Sequence, residues 1–204
     1  MDNYEKIAEI SRQNFIKWDQ EEIIARTKIK YDRDYFYLNF CGEPYSVDRK
    51  TGVVYRDSGE SKNATSNHNE VMSIYDVICY RKENAIASGR WMTHRQLAHG
   101  VPAGSNSSFY VEYEKRFNNE SGNLKNILES FGYEPFSIGD VAYIFPVFDF
   151  LPAVFQFWQG DDEFPPLIKF LWDANTLDFL HFETTFYIET HWLSQIIALL
   201  NNKI

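Results

Sequence analysis

The sequence contains few cysteines, no excess of basic residues and no long apolar run. Its two cysteines, Cys41 and Cys79, lie far apart and outside any CxxC pattern, so they provide no thiolate metal site and indicate a reducing compartment. The 20 lysines and arginines are outnumbered by 29 aspartates and glutamates, which gives a formal net charge of −9. Since basic side chains must neutralise nucleic-acid phosphates and anionic lipid headgroups, this balance disfavours both a nucleic-acid partner and a membrane surface.

Membrane, secretion and common catalytic signals are also missing. No stretch approaches the roughly 20 apolar residues that a membrane-spanning helix needs. The N-terminus lacks the basic and apolar regions of a secretory signal, so we expect a cytoplasmic protein. The glycine-rich phosphate loops, HExxH, GxSxG and the EF-hand loop are absent, which counts against the common dinucleotide-binding, NTPase, zinc-protease and hydrolase classes but not against enzymes in general. No metal site is predicted, because the His-x-Glu pattern at 181–183 is not followed by the cysteines of a zinc deaminase.

Aromatic residues are the unusual abundance: 17 Phe, 13 Tyr and 5 Trp make up 17% of the 204 residues. The remaining composition, with 44% hydrophobic and 24% charged residues, is ordinary for a globular protein. At about 150 residues per domain, the length corresponds to one domain or two small ones. Because no repeat or linker is visible, the sequence predicts a single domain over residues 1–204.

Hydrophobic periodicity predicts an α+β fold. Helical spacing indicates helices at the N-terminus (3–17), in the middle of the chain and at the C-terminus (185–201). Residues 35–55 are typical of an antiparallel meander, whereas 56–69, rich in Ser, Asn, Gly and charge, are typical of a mobile surface loop. Three continuous apolar runs predict strands that are covered on both faces: 141–148, 153–158 and 167–172. We therefore expect a mostly antiparallel sheet of about six strands, packed with helices from all three regions.

The most distinctive segment is 158–166, with the sequence WQGDDEFPP. Its three successive acids, Asp161, Asp162 and Glu163, offer oxygen ligands that suit a hard cation such as Ca²⁺ or Mg²⁺. Successive residues of a tight turn rarely point at one centre, so we favour a water-facing hairpin whose glycine permits the turn.

Two further groups of residues could take part in chemistry. On an extended segment His181 and Glu183 would face the same way and could act as a ligand or acid–base pair; alternatively, Glu183 begins the last helix and complements its dipole. Arg90 and Trp91 precede a helix start with a capping-box pattern, where a cation could help to form an anion pocket. The alternative there is a core position for Trp91 and a salt bridge for Arg90.

Several of these segments resemble one bacterial and archaeal family. Block 87–97 (ASGRWMTHRQL) is similar to its Gly-(Lys/Arg)-Trp block, and 158–166, followed by 171–173 and 181–183, resembles its Gly-Asp-Glu-Glu-Phe-Pro-Pro signature. The family is the domain of unknown function 3786, and the resemblance spans about residues 31–200. Asp162 stands where the family commonly has Glu, a change that keeps the charge.

The resemblance implies no assigned activity. Some members have an added iron–sulfur domain like those of corrinoid iron–sulfur proteins, which implies a link to anaerobic one-carbon or corrinoid metabolism; two cysteines cannot hold such a cluster alone. We expect a cytosolic accessory domain that binds a small-molecule ligand or a protein partner. The alternatives are an enzyme with a carboxylate and histidine site around the 160–166 loop and 181–183, and a purely structural interaction module. The candidate site residues are Arg90, Trp91, Trp158, Asp161, Glu163, Asp173, His181 and Glu183.

Overall fold

A computed structural model describes residues 3–59, 61–98 and 109–202. Within these ranges it contains seven α-helices and ten β-strands. The helices are α1 (Asn3–Phe15), α2 (Gln20–Thr27), α3 (His68–Tyr80), α4 (His94–Leu97), α5 (Val111–Asn119), α6 (Ser121–Ser130) and α7 (Phe182–Asn201). The strands are β1 (Lys30–Tyr31), β2 (Tyr35–Phe40), β3 (Glu43–Asp48), β4 (Val54–Ser58), β5 (Ser61–Ala64), β6 (Trp91–Met92), β7 (Glu134–Pro135), β8 (Val141–Phe148), β9 (Leu151–Trp158) and β10 (Leu167–Asp173).

The strands form a large antiparallel sheet in the order β5-β4-β3-β2-β8-β9-β10-β6, with β1 on β2 and β7 on β8. The predicted α+β class and the antiparallel sheet are confirmed. The expected number of about six strands is wrong, since the described residues form ten. The strands that sequence reasoning missed have only two to four residues each, which is too short to show an alternating pattern.

Regular structure occupies much of the stretch 56–69 in place of the expected loop, since 56–58 belong to β4, 61–64 to β5 and 68–69 to α3. Strand β5 pairs with β4 and exposes all four of its side chains, so it has no apolar face that a sequence pattern could show. After this hairpin, the side-chain oxygen of Asn67 accepts hydrogen bonds from the amides of Asn69 and Glu70 and caps α3. The Asn67 cap therefore fixes the start of α3, and the polar sequence before the helix provides this capping residue.

Contacts divide the chain into two compact units. The first comprises Met1–Ala87, Pro146–Leu151 and Asn175–His191, and the second comprises Ser88–Phe145, Pro152–Ala174 and Trp192–Ile204. The single domain expected over residues 1–204 stays a prediction.

Aromatic side chains form the core of the first unit. The fully buried Phe15 of α1 stacks on Tyr75 of α3 at a ring-centroid distance of 5.4 Å and meets Phe36 of β2 edge-on at 6.2 Å. Gly52 lies against the same layer with a φ of +74°, and a Cβ there would come within 3.1 Å of the Phe15 ring. The turn before β4 therefore requires glycine for both backbone conformation and space.

Aromatic side chains also fill the core of the second unit. Trp192 of α7 packs against Phe145 of β8 at 4.6 Å and against Phe155 of β9 at 4.8 Å. Strands β8 and β9 are buried along most of their length, as their continuous apolar runs predict, whereas Leu167 and Lys169 of β10 face solvent. The high aromatic content of the sequence is thus used largely for two cores.

Candidate functional site

An aromatic cleft of about 270 Å³ lies in the first unit, with walls from α1, α3 and the beginning of α7. Five aromatic side chains line it: Phe15, Trp18, Tyr75, Tyr80 and Tyr187. Two carboxylates, Asp76 and Glu183, and one imidazole, His181, also line it. None of the described lining residues is a lysine or an arginine.

Asp76 and His181 form the polar centre of this aromatic cleft. The Asp76 carboxylate is 7% exposed and lies 2.5 Å from Nδ1 of the His181 ring. It also accepts hydrogen bonds from the backbone amide of His181 at 2.7 Å and from the Thr184 hydroxyl at 2.5 Å. Because a carboxylate can only accept, we assign the bridging proton to Nδ1, which leaves Nε2 as the outer ring nitrogen.

The local sequence explains the position of the Asp76 carboxylate. Asp76 is in α3, within a stretch (73–79) in which every residue is buried. Its carboxylate contacts His181, the residue just before α7, and the hydroxyl of Thr184 in the first turn of α7. A negative charge at a helix N-terminus is favourable, so Asp76 stabilises the start of α7. This structural role does not require a histidine, and the His181 side chain keeps 58% of its surface exposed.

Three rings follow one another along the cleft. The Tyr80 ring meets the His181 imidazole edge-on at 4.6 Å, and Trp18 meets Tyr80 edge-on at 5.3 Å. Tyr80 is 52% exposed, so its ring is accessible to a ligand from solvent. A more open depression of about 390 Å³ is lined by Trp18 and Tyr80 as well, together with Asn14 and Lys17.

The cleft contains no activated nucleophile among its described residues. Burial raises the pKa of the Cys79 thiol to about 12, so the reactive thiolate is disfavoured at neutral pH. The Ser11 hydroxyl lies 3.3 Å from the Met72 sulfur and has no basic partner of its own. The arrangement therefore suits binding and proton transfer rather than covalent catalysis.

A second carboxylate–histidine pair is buried in the same unit. Glu70 of α3 is fully buried and accepts hydrogen bonds from the Arg56 guanidinium, with Nε at 2.9 Å. His191 of α7 is 5% exposed, lies 3.5 Å from the Glu70 carboxylate through Nδ1 and stacks on Phe40 at 4.9 Å. Burial lowers the pKa of His191 to about 4, so its imidazole is neutral at physiological pH.

The structure brings two of the predicted site residues into the aromatic cleft, His181 and Glu183. They do not share an extended segment: His181 precedes α7 and Glu183 is in its first turn, in agreement with the alternative interpretation of this pattern. The other predicted site residues belong to the second unit.

Asp161 and Glu163 lie in a tight turn between β9 and β10. The Asp161 carboxylate accepts hydrogen bonds from the amides of Glu163 and Phe164, which hold its pKa below the ordinary value. A Cβ on Gly160 would come within 2.6 Å of Pro166, so this position requires glycine. The exposed acids fit a water-facing turn, and the half-buried Trp158 before them has the Lys169 ammonium 5.0 Å from its ring.

Asp173 is fully buried and organises the chain around Arg90 and Trp91. Its carboxylate accepts hydrogen bonds from the amides of Ser88 at 2.9 Å and Gly89 at 2.7 Å, and Trp91 is its partner in the β10–β6 register. Helix α4 has only four residues, and its capping box occupies the amide at its start. These contacts fit a structural role better than an anion pocket.

Sequence reasoning missed Asp76, Trp18, Tyr80 and Tyr187. The available signal was Asp76, an acid between Tyr75 and Val77 within a strongly apolar helix. A charged residue in such a setting is seldom left without a partner.

The α+β fold and a histidine oriented by an aspartate in an aromatic cleft together define only a broad class of α+β proteins. The family model for Domain of unknown function (DUF3786) matches residues 19–193, and the chain therefore belongs to this family. A comparison with curated proteins and one with solved structures give no match. The bacterial and archaeal range and the signature motif stay predictions.

Among the described residues, no helix combines the length and the apolar character that crossing a membrane requires. The same residues contain no group of three or more His, Cys, Asp or Glu side chains placed to hold a metal ion.

Proposed function

We propose that this chain is a binding domain for a small, flat molecule of neutral or positive charge, held in the aromatic cleft. The observation that supports it is the His181 ring, fixed by Asp76 at 2.5 Å yet more than half exposed between the cleft and the Tyr80 ring. A ring held in one orientation loses little freedom when it binds a ligand, which favours affinity.

The size of the cleft limits the ligand. A volume of about 270 Å³ lies just below the roughly 300–1,000 Å³ of common small-molecule pockets. We therefore expect a molecule of one or two rings. A corrin macrocycle exceeds this space, so the link to corrinoid metabolism that the family resemblance implies would depend on a partner or on another surface, and it stays a prediction.

The charge of the cleft limits the ligand further. Glu183 and Asp76 are the carboxylates among its described lining residues, and aromatic faces attract cations rather than anions. An anionic ligand would meet repulsion from both carboxylates. Neutral and cationic heterocycles avoid this repulsion.

Nicotinamide, 1-methylnicotinamide and nicotinate test this proposal, since they share one ring and differ in charge. In saturation-transfer NMR titrations we expect the first two to bind and nicotinate to bind several-fold more weakly. Replacing His181→Gln or Tyr80→Ala should weaken nicotinamide binding about fivefold, because each loses a contact of about 1 kcal/mol.

Tyr31→Ala is the matched control, because Tyr31 is 49% exposed in the same unit and does not line the cleft. It should leave the titrations unchanged. If none of the three probes binds, or if Tyr80→Ala behaves like Tyr31→Ala, the proposal is wrong and the interaction-module alternative is favoured.

A further inference from the structure

We infer, resting on the proposed function, that the Asp76–His181 pair is a general base that removes an acidic proton from a molecule bound in the aromatic cleft. Nε2 of His181 is the base, and Asp76 is a positioning residue that acts through Nδ1. The substrate class is a small, flat, neutral or cationic heterocycle with a weakly acidic C–H or N–H group.

The first support is the fixed tautomer. A histidine whose Nδ1–H is bonded to a carboxylate presents the lone pair of Nε2, which is the form that accepts protons. Three hydrogen bonds to Asp76, from His181 Nδ1, from the His181 amide and from the Thr184 hydroxyl, hold the carboxylate in place. The negative charge of Asp76 then stabilises the imidazolium that forms when Nε2 takes a proton.

The second support is access. Within the described part of the chain Nε2 makes no hydrogen bond, and the His181 side chain is 58% exposed beside Tyr80. The contrasting His191, 5% exposed under Phe40, could not reach a ligand from solvent. A general base must lie within hydrogen-bond reach of the proton that it removes, and of these two histidines it is His181 that lines the aromatic cleft.

The third support is the absence of a competing covalent route among the described lining residues. Cys79 is buried as a thiol, and Ser11 lies beside the Met72 sulfur rather than a base. The titratable groups that line the cleft with His181 are Tyr75, Asp76, Cys79 and Tyr80 of α3 and Glu183 and Tyr187 of α7; none comes from α1. Proton transfer to Nε2 is thus the chemistry that this set supports.

The base-promoted ring opening of 5-nitrobenzisoxazole is a suitable probe reaction, because the compound is flat and neutral. Nε2 takes the proton from the ring C–H, the electrons of that bond complete a nitrile, and the N–O bond breaks to leave a coloured phenolate. The proton on Nε2 then passes to solvent, so the reaction needs no other reactant.

We expect the 204-residue chain to catalyse this reaction with a rate that saturates with substrate and that falls at least tenfold in His181→Gln, a modest effect for general-base catalysis. In Asp76→Asn kcat should fall while KM changes little, because the amide can also donate to Nδ1 and so leave the ring hydrogen on Nε2, the atom that must accept the proton. A purely structural loss at Asp76, which disturbs the cleft itself, would raise KM as well.

His94→Gln is the matched control, because His94 is in α4 of the second unit, and its rate should equal that of the unchanged chain. If Asp76→Asn fails to fold, His181→Gln still decides, since that side chain is largely exposed. Equal rates in His181→Gln and the unchanged chain would overturn the inference. If nicotinamide binds but the ring opening does not depend on His181, this inference alone fails; if neither probe binds, the proposed function fails with it.

Discussion

Two carboxylate–histidine pairs differ in their burial. In each pair the carboxylate belongs to α3, and the histidine lies in α7 or directly before it. Asp76 and His181 are 2.5 Å apart at the aromatic cleft, and the imidazole is more than half exposed. Glu70 and His191 are 3.5 Å apart in the core of the same unit, where both are buried and Arg56 is the principal partner of the carboxylate. A carboxylate and a histidine thus form a partly exposed pair in one place and a buried cluster in the other.

The difference between the pairs comes from burial and from the number of charges around each carboxylate. Glu70 has a guanidinium to balance it, so His191 can stay neutral, and desolvation lowers its pKa to about 4. Among the described residues, the hydrogen-bond donors to Asp76 include no lysine or arginine. Changes at the two pairs should therefore alter different properties: stability at the buried pair, and binding and proton transfer at the cleft pair.

The largest expected effect comes from breaking the buried pair. Arg56→Met leaves the fully buried Glu70 carboxylate without its cation, and we expect a loss of about 3 kcal/mol in the free energy of unfolding, measured by urea denaturation. Lys115→Met, which removes an exposed pair with Glu112 on α5, should cost under about 0.5 kcal/mol.

Adding Glu70→Gln to Arg56→Met tests the reason for this loss. The double variant no longer has a buried unpaired charge, so it should recover part of the stability. A double variant that is as unstable as the sum of the two single changes would show that packing, rather than charge, governs this cluster.

An effect of intermediate size should come from the buried His191, which makes the free energy of unfolding depend on pH. The folded chain keeps His191 neutral down to a pKa of about 4, whereas an unfolded histidine takes up a proton below about pH 6.5. The unfolded state therefore binds more protons in this window, and stability falls as the pH is lowered. Between pH 7 and pH 5 the loss should be about 2 kcal/mol.

The comparison of the unchanged chain with His191→Gln isolates this contribution, because carboxylates that titrate in the same range are common to both proteins. The free energy of unfolding, measured in urea at several pH values, should fall less steeply in His191→Gln. Identical pH slopes would contradict the assignment of a low pKa to His191.

The smallest expected effect concerns the support of the cleft pair. Thr184→Val removes one hydroxyl donor from the buried Asp76 carboxylate and should cost about 1 kcal/mol of stability. Thr190→Val, whose hydroxyl donates to the Phe186 carbonyl within α7, should cost less, since that carbonyl keeps its place in the helix. Thermal unfolding of both variants checks the order, and a larger loss in Thr190→Val would contradict it.

Much of the fold could be predicted from the sequence because the long elements have strong local signals. The apolar runs of β8 and β9 and the capping box before α4 all appear in the structure. Strand β5 could not be predicted, because its side chains all face solvent and it is held by backbone hydrogen bonds to β4, which leave no pattern in the residues.

The candidate site could be predicted only in part. His181 and Glu183 were identified from their spacing, and both line the cleft. Asp76, the partner that gives His181 its chemistry, could not be identified, because it is 105 residues away in the chain and belongs to no motif. Asp173 was also a predicted site residue, but it is fully buried and its carboxylate accepts hydrogen bonds from the amides of Ser88 and Gly89, which fits a structural role.

The sequence by itself determined the α+β class, the family and the long helices and strands, since these depend on periodicity, caps and local patterns. Only the tertiary structure decided which of two histidines is exposed and which carboxylate each one meets. The physical reason is that burial and pairing depend on how α3 packs against the chain around α7, and no local run of residues contains that information.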